Sequence, residues 1–417
     1  MTPTSAPSPD NDHRPGLVVV AQELTPYRLH FHRRIAREIP EFKLWTLLTY
    51  DSRLSLWSGL EHPEVNVVRF GEGEIESRRR GRLAAARVEL HKASAIIRWL
   101  RTHRVGAILH VGYIEWPLLR PILWAHANAV PNIMWADANI RGDRVTGLRR
   151  FAKNLVVPRI LSRCRAIMPC GSLGRQFFNR YGVRDDKIFL SPLEPDYREI
   201  QGLDPAVIAD VRARYGLREG RRRLVVSGRL IALKCVDMTI DAFAAIAAER
   251  PEWDLVIAGD GPLRAELEAR VPAALRSRVV FTGFLGKQEQ VTAVYRCSDV
   301  LVHVSERDAW ALTINEAAAA GLAIVATDVV GATAELVRDG VNGRLIGRYD
   351  RAGLVAALRN VTDPRNLNRM KAGSLEVLAQ WRAVADPIDG LRKALVHAGA
   401  LPSGHPAPAG RPALTPA

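Results

Sequence analysis

The chain has 417 residues, of which 47% are hydrophobic and 25% charged, an ordinary globular composition. It carries a formal net charge of +15. That length exceeds one small domain and predicts two, and no run of 18 apolar residues offers a membrane-spanning helix. Four cysteines, Cys164, Cys170, Cys235 and Cys297, form no CxxC pair and no zinc spacing, so reduced cytosolic thiols are expected.

The first 15 residues are polar and proline-rich, lack the apolar core of a secretory signal, and are expected to form a disordered tail. From residue 16 short apolar runs alternate with helical patterns. The expected strands are 17–22, 43–50, 65–70, 107–112, 132–137, 166–170 and 187–191. Strands alternating with helices predict a parallel sheet covered on both faces. Between residues 83 and 103 the spacing of Leu83, Ala86, Leu90, Ala93, Ile97 and Leu100 predicts a helix with one apolar stripe. Arg87, His91, Arg98 and Arg101 flank that stripe, and Arg78, Arg79, Arg80 and Arg82 precede it. This reads either as a solvated basic flank or as a surface that leans on anionic lipid.

Residues 191–200, SPLEPDYREI, form the best linker candidate. The alternation restarts beyond it, with strands expected at 223–228, 254–259, 279–283, 300–305 and 322–327. The organisation expected is thus a tail over 1–15, a Rossmann-like domain over 16–195 and a second over 196–380. A C-terminal helix over 381–400 returns to the first domain, and a tail covers 401–417. The basic excess lies mainly in the first half, where residues 1–200 hold 31 Lys and Arg against 20 Asp and Glu.

Two segments carry the chemistry. In GRLIALK, Arg229 and Lys234 follow a strand end at Gly228 and offer a planar fork and a point charge to a diphosphate. In the second, Asp308 and Glu316 stand eight residues apart around a strand-to-helix turn. The amides of Leu312 and Thr313 near the helix start favour phosphate, and the two acids suit sugar and ribose hydroxyls. On the N-terminal side, Thr25, Pro26, Tyr27 and Arg28 follow the first strand, and His110, Asp137 and Asn139 lie at or just beyond later strand ends.

These segments resemble the GT4 family of retaining GT-B glycosyltransferases. The likeness runs over roughly residues 16–400, through GRLIALKC, the D-x7-E stretch, GDGP at 259–262, VVFTGF at 279–284 and VNG at 341–343. The resemblance implies an α/β GT-B fold, a nucleotide-diphosphate sugar as substrate, retention at the anomeric carbon and no obligatory metal or other cofactor. It implies donor-binding roles for Gly228, Arg229, Lys234, Asp308, Leu312, Thr313 and Glu316, with the base near Gly283 and Phe284. Asp308, Arg229, Lys234 and Asp137 are the candidate catalytic group; by the same resemblance Thr25, Pro26, Tyr27, Arg28 and Asn139 stand on the acceptor side, and His110 is the second choice after Asp137 as polar partner. The expected acceptor is a glycan or lipid-linked glycan, as in surface polysaccharide assembly. The expected location is the cytoplasm, peripheral to an anionic membrane, with no nucleic-acid partner.

Three departures stand out. Asp308 replaces the family's first glutamate, Cys235 the glycine after the lysine, and Ala311 the glycine before Leu312. They keep open a non-catalytic GT-B protein that binds a nucleotide sugar or scaffolds an assembly complex. An epimerase shares the fold. GDGPLR is a weak dinucleotide signal, with Arg264 at the third glycine position. Asp10-Asn11-Asp12 has a metal-site form but falls in the tail.

Overall fold

The structure is a computed structural model that describes residues 12–51, 60–71 and 81–403, with Ile75, Ser77 and Arg79 between them. Of the expected tails over 1–15 and 401–417, residues 1–11, Asp10 and Asn11 among them, and 404–417 lie outside the described residues, as do the cations Arg78 and Arg80. Tail residues nearer the fold are placed: Lys43 donates its amide to the Pro15 carbonyl, and Leu401 is buried.

Six parallel strands form the first sheet: β1 (Gly16–Ala21), β2 (Lys43–Asp51), β3 (Asn66–Gly71), β4 (Val105–Val111), β5 (Asn132–Ala136) and β6 (Ala166–Pro169). Their spatial order is β3-β2-β1-β4-β5-β6. The second sheet holds β7 (Arg222–Ser227), β8 (Trp253–Ala258), β9 (Val279–Gly283), β10 (Val300–His303), β11 (Ala323–Thr327) and β12 (Gly343–Ile346). Its order, β12-β11-β10-β7-β8-β9, repeats the first topology. Both sheets are the doubly wound type, in which strand order reverses between the first and fourth strands and opens a crevice at their C-terminal ends. Strands buried on both faces read as near-continuous apolar runs, and that is why Leu17–Ala21 and Leu301–Val302 are sealed from solvent.

One core cluster links the halves, joining Leu17 and Leu109 of the first sheet to Val225 and Leu301 of the second through Tyr197 and Trp310. The linker is part of this floor. Trp135 Nε1 donates to the Ser191 carbonyl at 2.9 Å, and Trp310 Nε1 to the Leu193 carbonyl at 3.0 Å. The helix Pro387–His397 packs on β6 and on the helix Pro26–Glu38. No helix among the described residues is long and apolar enough to cross a membrane.

Three readings of the sequence are corrected. Residues 187–191 form no strand; Ile188 makes one isolated bridge to Ile167. The edge strand β12 was not foreseen, because its four residues follow a turn and are too short to show a period. The helix Arg82–Thr102 buries Lys92, Ala93, Ile96, Ile97 and Leu100, whereas Leu83 and Leu90 are exposed. Only its C-terminal half packs on the sheet.

His110 is also corrected. It is completely buried on β4, lines neither of the two cleft cavities, and neither ring nitrogen has a hydrogen-bond partner among the described residues. Burial lowers its pKa to about 3. The unfolded imidazole titrates near 6.5, so below that pH the unfolded chain takes up a proton that the native chain refuses. Stability therefore falls with pH between about 6.5 and 3, by about 1.4 kcal/mol per unit for this group. Replacing His110→Leu should flatten the dependence by that amount, measured as denaturant midpoints at pH 7 and pH 5. An unchanged slope would mean that His110 titrates normally.

Candidate functional site

The two domains meet over a cavity of about 640 Å³. Its C-terminal wall comes from the switch point of the second sheet, the loops that leave β7 and β10. After β7 come Gly228 and the exposed Arg229, then a single 3-10 turn, Ala232–Lys234, which carries Lys234. Gly228, Arg229, Lys234, Asp308, Leu312, Thr313 and Glu316 all line the cavity. Seventy-odd residues of chain separate the cations from the acids, and the adjacency of β7 and β10 brings them together.

Lys234 Nζ lies 2.6 Å from Asp308 Oδ2, and His303 Nε2 lies 3.2 Å from the same oxygen. Ser305 Oγ and Thr313 Oγ1 contact the two nitrogens of His303 at 3.1 and 3.2 Å. Burial alone would raise the Asp308 pKa, but the hydrogen bond to His303 and the charge of Lys234 outweigh it and hold the carboxyl well below its usual range. Burial lowers the pKa of His303, with the Asp308 contact opposing. The site thus holds an ionised carboxylate against an ammonium in a half-shielded pocket.

Glu316 is the deeper acid. Its Oε1 accepts from Gln288 Nε2 at 2.8 Å and its Oε2 from the Tyr295 hydroxyl at 3.0 Å. Burial raises its pKa, and the two donors pull the other way. Each carboxylate oxygen can accept more than one hydrogen bond, so Glu316 keeps capacity towards the cavity. The helix that carries it, Leu312–Ala319, has no side-chain cap at its start, and its first residues, Leu312 and Thr313, line the cavity.

A second cavity of about 970 Å³ opens alongside and shares Ser227, Gly228, Arg229 and Gln288 with the first. Phe284, Asp260 and Val291 line it, whereas Gly283 does not. Gly283 instead accepts the Gly259 amide at 3.1 Å. The GDGP segment is structural: a Cβ on Gly259 would come within 1.9 Å of the Gly228 carbonyl. Only glycine lets this loop pack on the Arg229 loop, which accounts for the GxG signal without a dinucleotide.

From the N-terminal domain, Pro26, Tyr27 and Asp137 line the first cavity. Asp137 is open to the cavity yet closely walled; this enclosure raises its pKa, with Arg28 opposing and Asp308 reinforcing. Arg28 turns back to the Glu23 carbonyl at 2.9 Å and lines neither cavity. Thr25 caps nothing with its side chain, and its buried Oγ1 has no partner among the described residues. Asn139 is buried and clamps the domains, donating to the Asp308 and Val329 carbonyls at 3.2 and 2.8 Å. Arg141 and Arg144 extend the clamp to Asp328 and Glu306, both at 3.1 Å.

Sequence reasoning missed His303, Gln288, Tyr295 and Trp310. Gln288 and Tyr295 stand seven apart on the helix Gln288–Arg296, a spacing that places both on the face towards Glu316. His303 ends β10 five residues before Asp308, where strand ends meet ligands.

The two unusual residues share one backbone property. Cys235 has φ 48° and Ala311 φ 70°, both left-handed. These are the positions where the resembled pattern has glycine, and a side chain there costs about 1–2 kcal/mol. Ala311→Gly, less the entropy that glycine adds to the unfolded chain, should raise stability by up to about 1 kcal/mol. Thermal melts of the two proteins would show it, and a lower melting temperature would mean that the methyl's packing outweighs the strain.

Residues 221–363 match the family model described as glycosyl transferases group 1. The chain is 31% identical over 165 residues to the alpha-D-kanosaminyltransferase of Streptomyces kanamyceticus, covering 39% of this chain and 42% of that one. It is 31% identical over 205 residues to the lipopolysaccharide core biosynthesis mannosyltransferase LpsB of Rhizobium meliloti (strain 1021), covering 47% and 53%. The matches thus span about half the length of these curated relatives. In three dimensions the fold is similar to Anabaena Alr3699/HepE, a crystal structure in complex with UDP and glucose. The TM-score is 0.70 at 16% identity, over 93% of this chain and all of that one. The fold is GT-B, two Rossmann-like domains facing across a cleft.

Proposed function

We propose that this GT-B chain, whose residues 221–363 form a glycosyl transferases group 1 domain, transfers a sugar from a nucleotide-diphosphate donor with retention and without an obligatory metal. The observation that carries the reading is the convergence of Arg229, Lys234 and the start of the helix Leu312–Ala319 on one cavity wall. Two cations and helix-start amides on one wall suit a diphosphate, whereas Arg33, a further arginine lining the cavity, belongs to the N-terminal domain and lies beside Glu64. HepE, captured with UDP and glucose, and LpsB, a mannosyltransferase, support this donor class.

In this reading the nucleobase occupies the larger cavity against Phe284, and the ribose reaches from it into the smaller cavity, where Glu316 accepts from the diol. The diphosphate spans Arg229 and Lys234, and the sugar fills the smaller cavity near Asp308. As the glycosidic bond breaks, negative charge grows on the leaving phosphate. Arg229, Lys234 and the helix start stabilise it, and preorganised donors of this kind supply the largest single catalytic effect in many enzymes. The acceptor attacks from the face that the diphosphate leaves, and the departing phosphate takes its proton. Asp137, with its raised pKa, stands on the acceptor side and can hold an acceptor hydroxyl. Lys234 changes partner in the process: phosphate replaces Asp308, whose carboxylate then accepts from a sugar hydroxyl. The acceptor is a glycan or lipid-linked glycan of surface polysaccharide assembly.

Arg229 is exposed and has no ion-pair partner among the described residues, so Arg229→Ala should leave the melting temperature of the free protein unchanged. It should weaken binding of the preferred nucleoside diphosphate roughly 10- to 100-fold, the loss of one charged hydrogen-bond pair. Isothermal titration across UDP, GDP and ADP checks this. Equal affinity for the variant and the parent would remove the diphosphate from this wall.

A further inference from the structure

The helix Gly147–Leu161 carries large apolar residues on its outer face as well as on its inner one. On its inner side Arg150 and Lys153 reach a buried carboxylate, Asp143, at 2.7 Å each, while Val157, Ile160 and Leu161 enter a core cluster. On its outer side stand Leu148, Phe151, Leu155 and Val156, exposed by 88%, 69%, 47% and 50%. Spacings of three, four and one residue place these four, with the exposed Ala152, on one stripe. A solvent-facing stripe of large apolar residues is costly in water and marks a surface that something covers.

The charge around the stripe says what covers it. From Gly147 to Arg165 the chain contains Arg149, Arg150, Lys153, Arg159, Arg163 and Arg165 and not one acid. Arg149 and Arg159 are exposed on the same side as the apolar residues. Bulky apolar groups flanked by cations are what an anionic bilayer surface takes up, the former at the acyl boundary and the latter against headgroup phosphates. A neighbouring helix, Trp116–Ala127, packs into the same core cluster through Ile122 and exposes Trp116 at its start.

We infer that the outer face of the helix Gly147–Leu161 docks on an anionic lipid bilayer. The helix begins three residues after Arg144, which pairs with Glu306 across the cleft, so a docked chain would hold the cleft mouth at the lipid surface. The basic flank of the helix Arg82–Thr102 lies on the same sheet face but lacks a comparable stripe; its role is secondary. This inference does not rest on the donor-site reading, and neither falls with the other.

The test is co-sedimentation of the full chain with vesicles of phosphatidylcholine alone or with phosphatidylglycerol added, at low and high salt. The parent should partition at least tenfold more strongly to the anionic vesicles, and high salt should weaken this. Each exposed apolar anchor withdrawn, as in Leu148→Ser or Phe151→Ser, should cost roughly tenfold in partition, with the melting temperature and nucleotide affinity unchanged. Absence of binding, or binding that both variants retain, would overturn the inference. So would a lipid-free parent that is dimeric by light scattering and becomes monomeric in the variants, because the stripe would then belong to a second copy of the chain.

Discussion

Lys234 Nζ and Asp308 Oδ2, 2.6 Å apart, are the contact around which the cleft is arranged. The lysine rides on the loop after β7 and the aspartate on the loop after β10, and these strands are neighbours only because the sheet reverses its order there. A lone carboxylate would be expensive in a half-buried site; His303 and Lys234 together keep that of Asp308 ionised. His303, held by Ser305 and Thr313, contacts the same carboxylate oxygen. A lysine resting on a carboxylate is poised to exchange it for phosphate. That exchange leaves the carboxylate free for a hydroxyl, so one contact prepares both halves of a nucleotide-diphosphate sugar site.

The N-terminal domain contributes less charge and more constraint. Asn139, Arg141 and Arg144 reach across to backbone and acids of the second domain, and the indoles of Trp135 and Trp310 close the floor on the linker carbonyls. Polar residues that follow β5 thus divide their work. Asp137 faces the cavity, and the residues just beyond it hold the cavity shut.

The sheets were legible in the sequence because parallel strands are apolar on both faces and stand out as short runs. The cations and acids were legible because strand ends and helix starts mark where a doubly wound sheet meets its ligand. Residues 187–191 look like those strands and lie along the open edge of β6, where the Phe189 and Ser191 amides donate to the Ile167 and Pro169 carbonyls, but they form only one isolated bridge. His110 resembles a strand-end ligand by position, but its side chain points into the packed face, and strand periodicity alone does not say where the last inward residue falls. Asn139 and Arg28 have the right neighbourhood but turn their donors to carbonyls. The left-handed backbone at Cys235 and Ala311 was visible only as two missing glycines. The outward apolar stripe of the helix Gly147–Leu161 has the same period as a buried one, so only its packing distinguishes the two.

The central claim is that this cleft breaks a nucleotide-diphosphate sugar with its own cations. The most direct measurement is release of nucleoside diphosphate from a panel of UDP-, GDP- and ADP-sugars in buffer containing a chelator, with Arg229→Ala alongside. The account predicts release from one donor without added metal, and loss of most of that release in the variant. No release from any donor, or release that appears only when a divalent metal is restored, would contradict it.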